Sequence, residues 1–208
     1  MAGLGKLLLV TALVVAACSG SSDSTTTQAS TTTPPPATTS APNTTVATGN
    51  TGDTVQSTFI LSTRPGEKPS VTSGIPHIQL DQNSSDEMLD ELATWAFSLD
   101  GVVEQPSQAS LPGARGLTVA GELPARREAM IVGREFGHIH PGGSLHLRLP
   151  AGEAGDVVDE GWGEYHPFAL DGTIPGLVMV YAPRTTEDLD VVKTIIEASV
   201  FFALSGDG

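Results

Sequence analysis

Arg134-Glu135-Phe136-Gly137-His138-Ile139-His140-Pro141-Gly142-Gly143-Ser144-Leu145-His146-Leu147-Arg148-Leu149 is the stretch on which the fold turns. Pro141-Gly142-Gly143 is a strong turn signal, because proline fixes φ and glycine tolerates positive φ. The flanking residues, 129–140 and 144–149, read as two strands of an antiparallel hairpin. Side chains two apart on a strand share a face, so Arg134, Phe136, His138 and His140 are expected to point the same way. Loop parity decides where His146 goes. An odd loop, such as 142–144, pairs His140 with His146 on that face, whereas a two-residue loop sends His146 to the other side. The odd loop is the expectation, and it gathers an arginine and three imidazoles on one surface.

Outward from the hairpin, 117–120 and 177–182 read as further strands. Ser84-Ser85-Asp86-Glu87 fits a capping box with Ser84 as N-cap and Glu87 at N3. Met88, Leu92, Trp95, Ala96 and Leu99 then form one apolar helical stripe, and Gly101 suits its stop. A last helix should start near Thr185 or Thr186, with Glu187 and Asp188 in its first turn and Leu189, Val192, Ile196, Val200 and Ala203 on its buried face. Helices at both ends with adjacent strands between them predict an α+β fold, a single compact domain over 63–208. Its antiparallel sheet is packed by the N- and C-terminal helices.

The N-terminal third has a different composition. Lys6 precedes an apolar run, 7–17, that is too short to cross a bilayer, which takes roughly 20 residues. It reads as an export signal covering 1–17. Val15-Ala16-Ala17-Cys18 resembles the lipobox of bacterial lipoproteins, in which the cysteine is lipidated. Cys18 is the only cysteine, so no disulfide can form within the chain. Residues 18–62 are dominated by Ser, Thr, Pro, Ala and Gly and are expected to be a disordered tether spanning roughly 35 Å. The expected location is the extracytoplasmic face of the cell membrane, reached through the lipid anchor. The formal net charge of −14 argues against nucleic acid, which demands a basic footprint. It also argues against docking of the domain itself on anionic lipid.

Four of the five histidines lie between 138 and 166, and three readings of them compete. Three imidazoles are a familiar zinc or iron set, although His-x-His alone is a weak signal and no acid follows at cupin spacing. Alternatively the histidines act as bases near neutral pH, with Arg134 as an anion stabiliser. In the third reading they hydrogen-bond within a half-buried sheet. Trp162, between Gly161 and Gly163, reads as a core anchor. Ser199 lies mid-helix without a nucleophile-elbow context, which argues against a serine hydrolase.

The run from Arg134 to Ser199 resembles the domain of fungal luciferase, the enzyme that oxidises a hydroxylated hispidin. The shared elements are Arg134-Glu135-x-x-His138-x-His140, Leu145-His146-Leu147, Gly161-Trp162-Gly163-x-x-His166-Pro167, Tyr181-Ala182-Pro183-Arg184 and Glu197-Ala198-Ser199, in that order. A weaker match reaches Arg64-Pro65 and Ile75-Pro76-His77. The resemblance implies oxygen addition to a small enolic or phenolic compound, with molecular oxygen as co-substrate and neither a metal nor an organic cofactor. His138, His140, His146 or His166 would remove the enol proton, and Arg134 or Arg184 would steady the enolate. The fungal proteins differ in a longer loop at 141–143 and in a membrane helix where this chain has its lipobox. From another functional class, a non-catalytic ligand-binding or envelope-interaction module is the alternative.

Overall fold

A computed structural model describes residues 59–206. The expected signal peptide, Cys18 and nearly all of the tether lie outside the described residues. Phe59 and Leu61 already pack against the core, ahead of the boundary placed at 62.

The fold is α+β, with six strands in the order β1-β2-β3-β4-β6-β5. The strands are β1 (Val102–Pro106), β2 (Arg115–Val119), β3 (Glu135–Ile139), β4 (Leu145–Arg148), β5 (Gly163–Tyr165) and β6 (Leu177–Val180). Every neighbouring pair is antiparallel. Among the described residues four α-helices accompany them: α1 (Asp86–Phe97), α2 (Ala151–Asp159), α3 (Pro167–Leu170) and α4 (Thr186–Leu204). Among the described residues no helix is long and apolar enough to cross a membrane.

Helix α4 starts as expected: Thr185 caps it, its side chain accepting from the Asp188 N–H. Leu189, Val192, Ile195, Ile196, Ser199 and Ala203 are buried, and α4 packs on β3, β4 and α1. The N-cap of α1 is Ser85 rather than Ser84. Ser84 instead donates its hydroxyl to Pro183 O, so it ties the hairpin end of the domain to the chain leaving β6. Leu117, Ile139, Leu145, Leu147, Val178 and Val180 line one sheet face and join the helices in one apolar core. Trp162 is part of that core, as expected of an anchor, and its indole N–H donates to Ser62 O.

The central hairpin has the odd parity expected but a different register. Its loop is 141–143, His140 N–H donates to Ser144 O, and His146 faces His138 rather than His140. The offset is two residues, so all three histidines still share a face. The strand expected over 129–140 is shorter, because residues 127–129 form a 3-10 turn and β3 begins at Glu135. A bulge between Leu117 and Thr118 pairs Leu117 with Gly137 but Thr118 with Glu135. Bulges re-aim side chains, and this one turns Phe136 into the core and Glu135 onto the histidine face. Gly137 lies on the core face, where a Cβ would stand 2.6 Å from Leu147 Cδ2.

Candidate functional site

The histidine face of the sheet is flanked by residues 75–79 and by the loop 109–112, which border a partly open cavity of about 430 Å³. Four of its lining residues are His77, His140, His146 and His166, and Ile75, Leu111 and Phe168 supply apolar wall. Each histidine arrives by a different local device. His138 and His146 are a cross-strand pair on β3 and β4. His140 stands at the hairpin end, its Nδ1 3.1 Å from Ser144 Oγ. His166 is the N-cap of α3, and its Nδ1 accepts from the Phe168 N–H at 3.0 Å. His77 comes from the segment before α1, where Val71 and Gln79 form an antiparallel bridge. All five are buried, and ring centroids of His146 lie 4.7 Å from both His140 and His166.

Three of them form one chain between two carboxylates. Glu135 Oε1 lies 2.9 Å from His138 Nδ1, and His138 Nε2 lies 3.0 Å from His146 Nδ1. His146 Nε2 is 3.2 Å from His77 Nδ1, and His77 Nε2 is 2.8 Å from Glu164 Oε1. Glu164 also accepts from Tyr181 Oη at 2.9 Å and pairs with Lys68 Nζ at 2.7 Å. Burial raises the Glu135 carboxyl, but hydrogen bonds from His138, Ser107 and the Gln108 N–H outweigh it and hold the group below the usual range. The same contest at Glu164, won by Lys68, His77 and Tyr181, lowers that carboxyl too. Desolvation, helped by neighbouring imidazoles, pushes His140 down to about 3 and His166 to about 4, and puts His146 well below its ordinary value. The cavity histidines His140, His146 and His166 are therefore neutral at pH 7; the lone pair of His166 is taken by the Phe168 N–H, while His140 keeps one ring nitrogen without a hydrogen-bond partner among the described residues. Two trios have nitrogens close enough to share a metal, His77-His146-His166 and His138-His140-His146.

Of the expected site residues, His138, His140, His146 and His166 are brought together. The two arginines are not. Arg134 donates to the carbonyls of Val119, Ala120 and Leu123 at 3.0, 2.6 and 2.6 Å. Preceding the bulge, it turns away from the histidine face. Arg184 pairs with Asp188 at 2.8 Å and also donates to Gln82 and Pro65 O, which leaves it knitting α4 to the N-terminal segment. Glu135, Glu164 and His77 are site members that single-residue reading passed over. Glu135 and His77 stood inside the quoted motifs, but nothing in strand parity assigned either to this face.

Residues 133–199 match the family model described as Luciferase domain. The chain carries a luciferase-like domain. Within it lie β3 to β6 and four of the five clustered histidines, with His77 contributed from outside. The domain is similar to the luciferases of Armillaria gallica and Armillaria mellea, each 45% identical over 73 residues, or 32% of this chain and 27% of the relative. The luciferase of Neonothopanus nambi is 37% identical over 84 residues, 38% of this chain and 31% of its own. This chain thus spans roughly a third or less of the length of the curated relatives it matches. No solved structure matches.

Proposed function

We propose that the luciferase-like domain is an oxygenase acting on a small enolic or phenolic compound, held outside the cell membrane by lipid on Cys18. The observation that carries the reading is the partly open cavity with four neutral or carboxylate-backed imidazoles on its walls. Its size suits a bicyclic or styryl-sized ligand, within the range of small-molecule pockets. An enol entering it would give its proton to the Glu135–His138–His146–His77–Glu164 chain, in which three neutral imidazoles have three protons for four hydrogen bonds, and the two carboxylates would stabilise the imidazolium that forms. The enolate carbon would then bond to oxygen, and return of the proton would give a hydroperoxide, so that enol plus oxygen account for every atom of product. Ile75, Leu111 and Phe168 give the cavity an apolar wall for the ligand's ring. No organic cofactor enters this scheme. The similarity to luciferases supports oxygen chemistry as the reaction class.

The test is oxygen consumption by the purified chain across a panel of hydroxypyrones and catechols. Uptake that saturates with one compound class is the expected result. Tight binding of such compounds without oxygen uptake would replace the enzyme with a ligand-binding module.

A further inference from the structure

The hydrogen-bonded chain from Glu135 to Glu164 does not close with neutral imidazoles. Glu135 can only accept, so His138 carries its proton on Nδ1 and presents a lone pair at Nε2. Glu164 likewise fixes the His77 proton on Nε2 and leaves a lone pair on Nδ1. His146 has one proton to give and two lone pairs to face, at 3.0 and 3.2 Å. Whichever way it donates, one gap holds two lone pairs turned on each other. The chain is one positive charge short, which either a proton or a metal ion would supply. Charge gives the same answer independently: Glu135 is 2% exposed, and among the described residues its only ion-pair partner is His138. A carboxylate so buried needs a positive partner.

The two trios are not equal candidates for that cation. His166 accepts the Phe168 N–H at Nδ1, so the neutral ring carries its proton on Nε2 and has no second lone pair to offer. His140 is free of that constraint, since Ser144 Oγ can accept from its Nδ1 and leave Nε2 open. With His146 donating to His77, the lone pairs left in this trio are those of His138 Nε2, His140 Nε2 and His146 Nδ1. The candidate nitrogens of this trio lie within 4.8 Å of one another, and the 3.0 Å separation of two of them is close to the ~3.3 Å between imidazole ligands on a tetrahedral ion. Each outer nitrogen is already held, by Glu135, by Ser144 and by His77, which is how ligating histidines are oriented.

We propose that His138, His140 and His146 bind a divalent transition-metal ion at the floor of the cavity. This goes beyond the oxygenase reading and departs from the expectation of a metal-free domain. Three neutral imidazoles suit a borderline ion such as zinc, iron(II) or copper(II). His140 and His146 line the cavity, so the remaining coordination positions are open to a ligand oxygen.

The experiment uses the full chain without a polyhistidine tag, stripped with chelator and titrated with Co²⁺ alone. One equivalent should bind with the visible absorption of imidazole-ligated cobalt. His140→Ala should weaken binding by more than the roughly 10–100-fold that loss of an outer partner causes, while His166→Gln keeps the stoichiometry. Should His140→Ala not fold, three exchangeable contact-shifted imidazole N–H resonances in the Co²⁺-loaded wild type, from His138, His140 and His146, carry the same information. No binding, binding indifferent to His140→Ala, or binding lost in His166→Gln would overturn the site. Metal bound here with no oxygen uptake keeps this inference and removes the oxygenase; oxygen uptake by the metal-free chain does the reverse for catalysis.

Discussion

The two faces of the β3–β4 hairpin are built from alternating residues of the same few positions, yet they obey different rules. Leu145, Leu147 and Ile139 face α4 and are buried in an apolar core. His146 and His138 face the other way and are buried just as deeply, among imidazoles and carboxylates. The apolar face gains stability from every atom it removes from water. The histidine face loses solvation at each ring and recovers it only through partners, so its burial reports a use other than cohesion. Sheet geometry makes the division clean; the bulge at Phe136 makes it complete, by moving the one large apolar side chain off the polar face.

The largest expected effect breaks the apolar face. Leu147→Ala should cost about 2–5 kcal/mol and lower Tm by ~10 °C, read by calorimetry. A loss no greater than that of a histidine substitution across the strand would erase the distinction between the faces.

Acid should strike the other face. His140 and His166 have folded values near 3 and 4, below the ~6.5 of an unfolded histidine. Protons therefore favour the unfolded chain, and their contribution to stability is complete above about pH 6.5 and lost as pH falls towards the folded values. In the metal-free chain each such group removes at most about 1.4 kcal/mol per pH unit across that window. Urea midpoints that stay flat from pH 7 to 4.5 would contradict the burial of neutral imidazoles.

Arg134→Lys sharpens the boundary between site and scaffold. A lysine cannot satisfy three carbonyls in a fork, so about 1 kcal/mol of stability should go, with ligand affinity unchanged. Selective loss of turnover at constant Tm would return Arg134 to the reaction. The smallest effect on the fold belongs to Cys18→Ser, which should leave Tm where it is and release the chain from the membrane fraction. Full membrane retention of that variant would remove the lipid anchor from the account.

Periodic elements were legible because their signals are local. Helix α4 announced itself by a capping threonine and a stripe of apolar residues, and the hairpin by Pro141-Gly142-Gly143. Elements with weaker local signals were not. Helix α2 contains Gly152 and Gly155 and owes its place to Ala154 and Val157 in the core. Strands β1 and β5 are the sheet edges; β5 has only three residues, and β1 buries only Val102, so neither shows an alternating apolar pattern. The site divided along the same line. Parity placed three histidines together even with the register two residues off, because an offset of two preserves the face. It could not see the bulge, and so it put Phe136 and Arg134 where Glu135 belongs. His77 reaches the cluster from 69 positions before His146, a distance over which pattern carries no information.

The central claim is that the histidine face serves a ligand and not the fold. Oxygen uptake by His140→Gln, measured beside Tm in the same preparation, tests it most directly, because His140 lines the cavity and, among the described residues, its ring has only Ser144 as a hydrogen-bond partner. The account predicts turnover or ligand binding abolished with Tm within a few degrees of the wild type, since glutamine keeps polarity but neither accepts a proton near neutral pH nor replaces an imidazole ligand. A variant that melts well below the wild type yet binds and turns over ligand unchanged would make the histidines architecture.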